Sequence, residues 1–290
     1  MDRTPVICGV DFSTRSAPVV RVAATLASRL DAPLTVAAAV DALLARAADL
    51  RLSPGTLVAA TRRDLDALVT AALEPLAARP TVSTRVEIGA PADVLEQVAS
   101  SSRARLIVVG TRGHGPARRL WLGSTTARLL ATTTHAVIAV PDAWSADGEA
   151  RVPDPQRIVC GVDFQAPSIA AARAAARLGA TLGIPVTLVH AVPRPDADEA
   201  WREVIDEAVA AQQHDAAARL EALARDLPGP PASEVLPGRA ADVLLGAAAA
   251  VGRTLLAVGL GGGLTHRPGS TAMELLTRTD TLVMAGPREA

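Results

Sequence analysis

The sequence contains no lysine and no tyrosine, and each gap removes chemistry. All 29 basic residues are arginine. A Walker-type phosphate loop needs its lysine, so a P-loop ATPase is excluded, and Schiff-base chemistry on a lysine amine goes with it. Aromatic residues make up only 2% of the chain, with no basic face interleaved among them, so no nucleic-acid partner is expected. No apolar run approaches the roughly 20 residues of a membrane span, so no membrane partner is expected either. The opening residues MDRTPVICGV pass almost directly into a strand-like run. They leave no room for a signal peptide, which points to a cytoplasmic protein. Cysteine is confined to Cys8 and Cys160, both inside apolar runs where a reduced, packed thiol is the expected state. The five histidines show no metal-ligand spacing, and no metal site is expected.

What remains is a chain rich enough in apolar residues to build a core. Hydrophobic residues make up 49% and charged residues 20% of 290 positions, a length that suits one large domain or two ordinary ones. Charge divides unevenly: residues 1–143 hold 16 Arg against 12 acidic residues, or +4, and the remainder holds 13 against 18, or −5.

The chain repeats itself. VICGVDF at 6–12 returns as IVCGVDF at 158–164, an offset of 152. Gly89-Ala-Pro-Ala-Asp-Val-Leu returns as Gly238-Arg-Ala-Ala-Asp-Val-Leu, and Leu106-Ile-Val-Val-Gly as Leu255-Leu-Ala-Val-Gly, both at 149. Gly123-Ser-Thr returns as Gly269-Ser-Thr at 146. Offsets that drift only across loops mark two copies of one domain. The expected division is 1–143, a linker over 144–156 containing Pro153 and Pro155, and 157–290.

Within the first copy, strand-like and helix-like periodicities alternate. Strands are predicted at Val6–Asp11, Leu34–Val40, Val82–Ile88, Leu106–Val109 and Ala136–Val140. Helices are predicted at Ser16–Leu30, Leu57–Ala78, Pro91–Ser101 and Ser124–Ala131. The second copy follows the same order, with a long alanine-rich helix around Asp198–Asp226. This alternation predicts an α/β fold: two tandem doubly wound domains, each a five-stranded parallel sheet of order 3-2-1-4-5 flanked by helices. Ligands of such sheets bind at the carboxyl ends of the strands where the order reverses, here between strands one and four.

The stretch LIVVGTRGHGPARRLWLGSTT, 106–126, supplies what that position needs for an anion. Glycines allow close backbone approach, Arg112, Arg118 and Arg119 supply forked donors, and Ser124-Thr125 open a helix whose N-terminus favours negative charge. His114 lies in the same loop. Asp11 ends strand one, as Asp163 does in the second copy. There a carboxylate either accepts hydrogen bonds from ribose hydroxyls or caps the following helix. Ser13 offers an alternative cap. Although Ser124, His114 and Asp11 include the residue types of a hydrolytic triad, the elbow G-x-S-x-G is absent, and no residue stands out as a base. No catalytic residue is assigned.

The spacing Gly110-x2-Gly113-x9-Gly123-Ser-Thr resembles that of the ATP-binding members of the universal stress protein family, and the resemblance covers nearly the whole chain twice. It implies nucleotide contacts at Val10, Asp11, Ala39, Gly110, Arg112, Gly113, Gly123, Ser124 and Thr125. The matching positions of the second copy are Asp163, Ala191, Gly259, Gly262, Gly269, Ser270 and Thr271. Only six residues separate Gly262 from Gly269, so the second cradle is three residues shorter and suits a smaller ligand or none. By this resemblance the chain binds ATP or another adenine nucleotide, with Mg2+ accompanying ATP, as a regulatory ligand in a stress response. A nucleotide-free association module and a slow ATPase are the alternatives. Family members commonly pair through the fifth strand. An intramolecular pseudo-dimer through 136–140 and 282–285 is therefore expected, open to further homodimerisation and to unknown protein partners.

Overall fold

The computed structural model describes residues 4–111, 122–141, 154–195, 198–249, 253–261 and 270–287. Short runs of aliphatic and β-branched residues form the strands, and Ala-rich amphipathic segments form the helices between them. In order along the first copy these are β1 (Val6–Val10), α1 (Ser16–Arg29), β2 (Leu34–Val40), α2 (Ala42–Asp49), α3 (Thr56–Leu73), β3 (Val82–Ile88), α4 (Pro91–Ser101), β4 (Leu106–Gly110), α5 (Ser124–Thr132) and β5 (Val137–Val140). The second copy contributes β6 (Arg157–Gly161), α6 (Ala166–Leu182), β7 (Val186–Val192), α7 (Arg202–Arg225), β8 (Ala232–Pro237), α8 (Ala240–Ala249), β9 (Thr254–Val258), α9 (Ser270–Arg278) and β10 (Leu282–Ala285).

Every assigned strand pair within a copy is parallel. In the first, β1 pairs with β2 on one side and β4 on the other, β3 lies outside β2, and β5 outside β4. The second repeats this with β6 between β7 and β9, flanked by β8 and β10. The order 3-2-1-4-5 expected from the sequence is thus present in each. The chain divides into two units, Met1–Asp154 and Pro155–Ala290. Of the linker expected over 144–156, residues 144–153 lie outside the described residues.

Parallel strands covered on both faces are apolar throughout. Val6, Ile7 and Cys8 are fully buried in β1, as are Ile158, Val159 and Cys160 in β6. The glycine in each Cys-Gly-Val-Asp-Phe repeat has a packing reason. A Cβ on Gly9 would stand 2.6 Å from Leu95 Cδ1 of α4, and one on Gly161 would stand 2.7 Å from Leu244 Cδ1 of α8. The missing side chain lets a leucine settle onto the first strand.

Several element ends shift by a residue or a few, and two larger differences have a clear cause. Helix α3 stops at Leu73 rather than Ala78, because Pro75 has no N–H to continue the helix ladder, although Glu74 before it keeps helical torsions. Helix α2 is an addition. Asp41 starts it as a side-chain cap, its Oδ1 accepting from the N–H of Leu43 (2.9 Å) and Leu44 (3.0 Å). Its hydrophobic face is largely uncovered, with Leu43 77% and Leu44 57% exposed, so apolar periodicity with a buried side was not its signal.

Both cysteines are free and fully buried. Burial disfavours the thiolate, raising the Cys8 pKa strongly and pushing that of Cys160 up to about 12. The folded chain should therefore give no reaction with an aromatic disulfide reagent at pH 8. Both thiols should react once denaturant unfolds it, and a fast native-state equivalent would show that one strand is accessible.

Candidate functional site

The strand order sets the site before any side chain is considered. Strand β1 turns one way to β2 and the other way to β4, so a crevice opens beyond their carboxyl ends. The chain brings Val10 and Asp11, Ala39, and Gly110 to that one edge.

Asp11 is exposed and organises the turn out of β1. Its Oδ1 accepts from the Ser13 N–H at 3.0 Å and from Ser16 Oγ at 3.1 Å. These contacts make Asp11 a turn acceptor and not a helix cap: α1 starts after Arg15 without a side-chain cap bond, and Ser13 Oγ accepts from the Arg15 N–H at 3.3 Å. Phe12 takes φ 61°, a left-handed conformation costly for a bulky side chain. The second unit repeats the turn: Asp163 Oδ1 accepts from the Gln165 N–H at 2.9 Å, and Phe164 has φ 62°. Recurrence of the aspartate in both copies thus has a local explanation, whereas the turn itself gives no reason for phenylalanine.

The glycine loop is held closed at its two ends. Thr111 donates its N–H to Val140 O (2.9 Å), and Gly123 donates its N–H to Thr111 O (2.8 Å). The buried Thr126 fastens the same point, its Oγ1 donating to Gly110 O at 2.7 Å. Thr111 and Gly123, at the two described ends of the loop, therefore meet at one place beside the end of β4. Gly123 caps α5 at φ −59° and ψ 143°, which any residue adopts, so its glycine is not required by its own torsions. Its N–H is already engaged. The donors that α5 presents outward are the first-turn N–H groups after it, from Ser124 onward, which have no acceptor within the helix. Ser124 is exposed and Thr125 half-buried. Arg112 and Gly113, with His114, Arg118 and Arg119, lie outside the described residues.

The second unit keeps the motif but uses it differently. Ala191 is half-buried on β7. Gly259, just beyond β9, packs against the start of α6: a Cβ there would stand 2.6 Å from Pro167 C and Ser168 N. That glycine is needed for helix-on-strand approach whether or not a ligand binds. The counterpart of Thr126 is Ala272, so the side-chain bond that pins the first loop has no equivalent. Ser270 begins α9 and Thr271 is half-buried, whereas Gly262 and Gly269 lie outside the described residues.

Sequence reasoning missed a group at the matching edge of the second unit. Phe164 stacks with His190 at 4.7 Å between ring centroids, and Arg219 Cζ stands 4.1 Å from the Phe164 centroid. The available signal was the scarcity of phenylalanine itself, since both copies sit directly after the paired aspartates. Among the described residues no group of His, Cys, Asp and Glu is arranged to hold a metal ion.

The sequence profile of the universal stress protein family matches this chain twice, over residues 3–141 and 155–285. A universal stress protein from Archaeoglobus fulgidus DSM 4304 is similar in structure, with TM-score 0.62 and 16% identity over 98% of this chain and 98% of that one. A second structure ascribed to the same family, from Pseudomonas aeruginosa UCBPP-PA14, has TM-score 0.58 and 13% identity over 98% of this chain and 93% of that one. At these identities the likeness shows the fold. No curated protein matches the chain.

Two stability effects follow from the packing. Gly259→Ala forces a Cβ into backbone and should lower the stability of the second unit by about 1–3 kcal/mol in denaturant unfolding. Thr126→Val removes the pin on Gly110 O and should cost about 1–2 kcal/mol in the first unit. Wild-type unfolding curves for both would mean that these contacts do not hold the strand ends.

Proposed function

From the premise that the chain belongs to the universal stress protein family, we propose that its first unit binds ATP or a related adenine nucleotide as a regulatory ligand in a stress response. The observation that carries the reading is the closed loop. Gly110-x2-Gly113-x9-Gly123 begins and ends at a single hydrogen-bonded point, on the switch-point edge that also carries Asp11. The residues fit a nucleotide. Asp11 is exposed at the end of β1, where its carboxylate can accept from ribose hydroxyls while Oδ1 supports the turn. Ala39 offers a small, half-buried surface on β2 beside it. The first turn of α5 presents N–H donors and the positive end of its dipole toward phosphate, and Arg112 adds forked donors from the loop. Mg2+ would reach this site with the triphosphate.

Binding acts here by stabilising one arrangement of the loop and the helix it leads into. A ligand bridging Asp11 and the start of α5 joins the turn after β1 to the helix that follows the loop. Its regulatory output is a change in the surface offered to a protein partner. This assigns no turnover step. ATP hydrolysis would need a base placed against the loop, and none of the described residues is assigned that role.

Calorimetry with ATP should show one tight site per chain. Asp11→Ala should weaken it at least ~10-fold, about 1.4 kcal/mol. Ser16→Ala removes one turn bond but no ligand group, so it should weaken binding much less. Equal losses from the two would reduce Asp11 to a turn residue. Asp163→Ala should leave the tight site in place, and loss of tight binding in that variant alone would move the site to the second unit.

Gly123→Val supplies an independent check. The Gly123 torsions suit valine, so the variant should unfold close to the wild type. A branched side chain at the mouth of the loop should nonetheless reduce ATP binding well beyond Arg118→Ala. Equal, small effects would make the loop merely structural.

A further inference from the structure

The two units share the left-handed phenylalanine but not its surroundings. Phe12 is 37% exposed, whereas Phe164 is half-buried and touches two partners. One is the His190 imidazole, its plane inclined 40° to the ring. Its Nδ1–H donates to Val162 O at 2.7 Å, which holds it against the end of β6. The other is the Arg219 guanidinium of α7, 4.1 Å from the ring centroid. Arg219 is otherwise exposed, its guanidinium resting over this ring.

Strand register identifies the first-unit counterparts. Gly9 pairs with Ala37 in β1–β2, and Gly161 with Val189 in β6–β7, so His190 stands where the first unit has Ala38. The buried positions Leu65, Val69, Leu73 and Leu76 recur as Ala216, Leu220, Ala224 and Leu227, each 151 residues on. At that offset Arg219 corresponds to Leu68, a half-buried residue of α3. The second unit thus has an imidazole in place of a methyl group and a guanidinium in place of an isobutyl group. The resulting stack lies at one edge of the sheet, next to the aspartate that both units keep.

We infer that His190 and Arg219 close the second unit's crevice to a purine base and thereby restrict nucleotide to the first unit. The inference rests on the proposed nucleotide site beside Asp11 and Ala39, and adds that the base lies against Phe12, the residue next to Asp11. A planar base gains by stacking on an aromatic ring and by contact with a cation over a π-face. In the second unit both kinds of contact are already made inside the protein. A base entering there would have to displace His190 from Phe164 and Val162 O and would recover little beyond what it breaks. In the first unit neither position can do this. Ala38 is a buried methyl with no ring to stack, and Leu68 has no charge to place over one, so Phe12 stays exposed. The surviving glycine gives no contrary sign, because Gly259 is accounted for by the backbone of α6.

The test counts AMP sites per chain by equilibrium dialysis, AMP being short enough for the smaller second loop. The wild type should show one site. His190→Ala combined with Arg219→Leu, which installs the first unit's residues, should show two. The second should be tightened at least ~10-fold over the wild-type second unit and lost on adding Asp163→Ala. Two equal sites in the wild type would overturn the inference. So would a double variant that keeps the wild-type circular dichroism and melting temperature yet holds only one AMP. If the double variant fails to fold, the converse graft of Ala38→His with Leu68→Arg decides. It should weaken AMP binding in the first unit at least ~10-fold, and unchanged affinity in the folded graft would refute the role of the stack. A wild type without any site whose double variant gains one would leave this inference standing and reject nucleotide binding by the first unit. No site in either protein would reject both.

Discussion

Everything functional in this chain depends on the parallel pairing of a first strand with neighbours on both sides. Because β1 bonds to β2 on one edge and β4 on the other, the chain must cross over above and below the sheet. The loops leaving β1 and β4 then diverge at the same end. That divergence makes a crevice without any residue being selected for one. The pairing also dictates composition. A strand covered on both faces has no solvent side, so VICGV has no charged or hydroxyl side chain, and its glycine is the concession that lets Leu95 approach. The second unit meets the same steric constraint at Gly161 and Leu244.

Around this frame the protein builds its loop with hydrogen bonds rather than with bulk. Three contacts gather at the end of β4: Thr111 N–H to Val140 O, Gly123 N–H to Thr111 O, and Thr126 Oγ1 to Gly110 O. Each is worth on the order of 1 kcal/mol net. Together they fix both loop ends against the sheet and aim the start of α5 at the edge where Asp11 stands. Since Gly123 commits its N–H to the protein, the N–H groups without a helical acceptor begin one residue further on, in the first turn of α5. The pin at Thr126 is polar and buried, so its replacement by Ala272 in the second unit removes a bond as well as a hydroxyl.

The frame was readable in the sequence because its causes are local and periodic. Apolar runs, Pro91 at a helix start and the glycine punctuation placed β2, β3 and α4 at their observed limits. The sheet order followed from the alternation of strands and helices. Helix α2 was not readable in the same way. It buries little beyond Ala45, so its sequence lacks the one-sided pattern that a core imposes, and only the Asp41 cap announced it. Asp11 was visible as a candidate, but the two readings of it could not be separated by sequence. Turn acceptor and ligand acceptor place the same residue at the same position. The stack of Phe164, His190 and Arg219 was illegible for another reason. Its members lie on a turn, a strand and a helix far apart in sequence, and only register and helix packing bring them together.

The comparison of the two units separates what the fold requires from what a ligand requires. Two features kept in both have structural causes: the Asp turn and the glycine under a leucine. The glycine that admits α6 has such a cause in the second unit as well. Such features would persist in a unit that bound nothing, so their survival in the second copy is weak evidence for a second site. The features that differ are Ala38 against His190, Leu68 against Arg219, Thr126 against Ala272, and a loop shorter by three residues. None of these is demanded by the sheet, and all of them lie at or reach toward its carboxyl edge. A change confined to one edge leaves the core energetics of the unit intact while changing what that edge can hold. Duplication thus supplies a built-in control. The second unit reports what the fold looks like when its phenylalanine is clamped by its own side chains. The first reports the same fold with that ring still exposed, beside the loop whose ends the hydrogen bonds hold together.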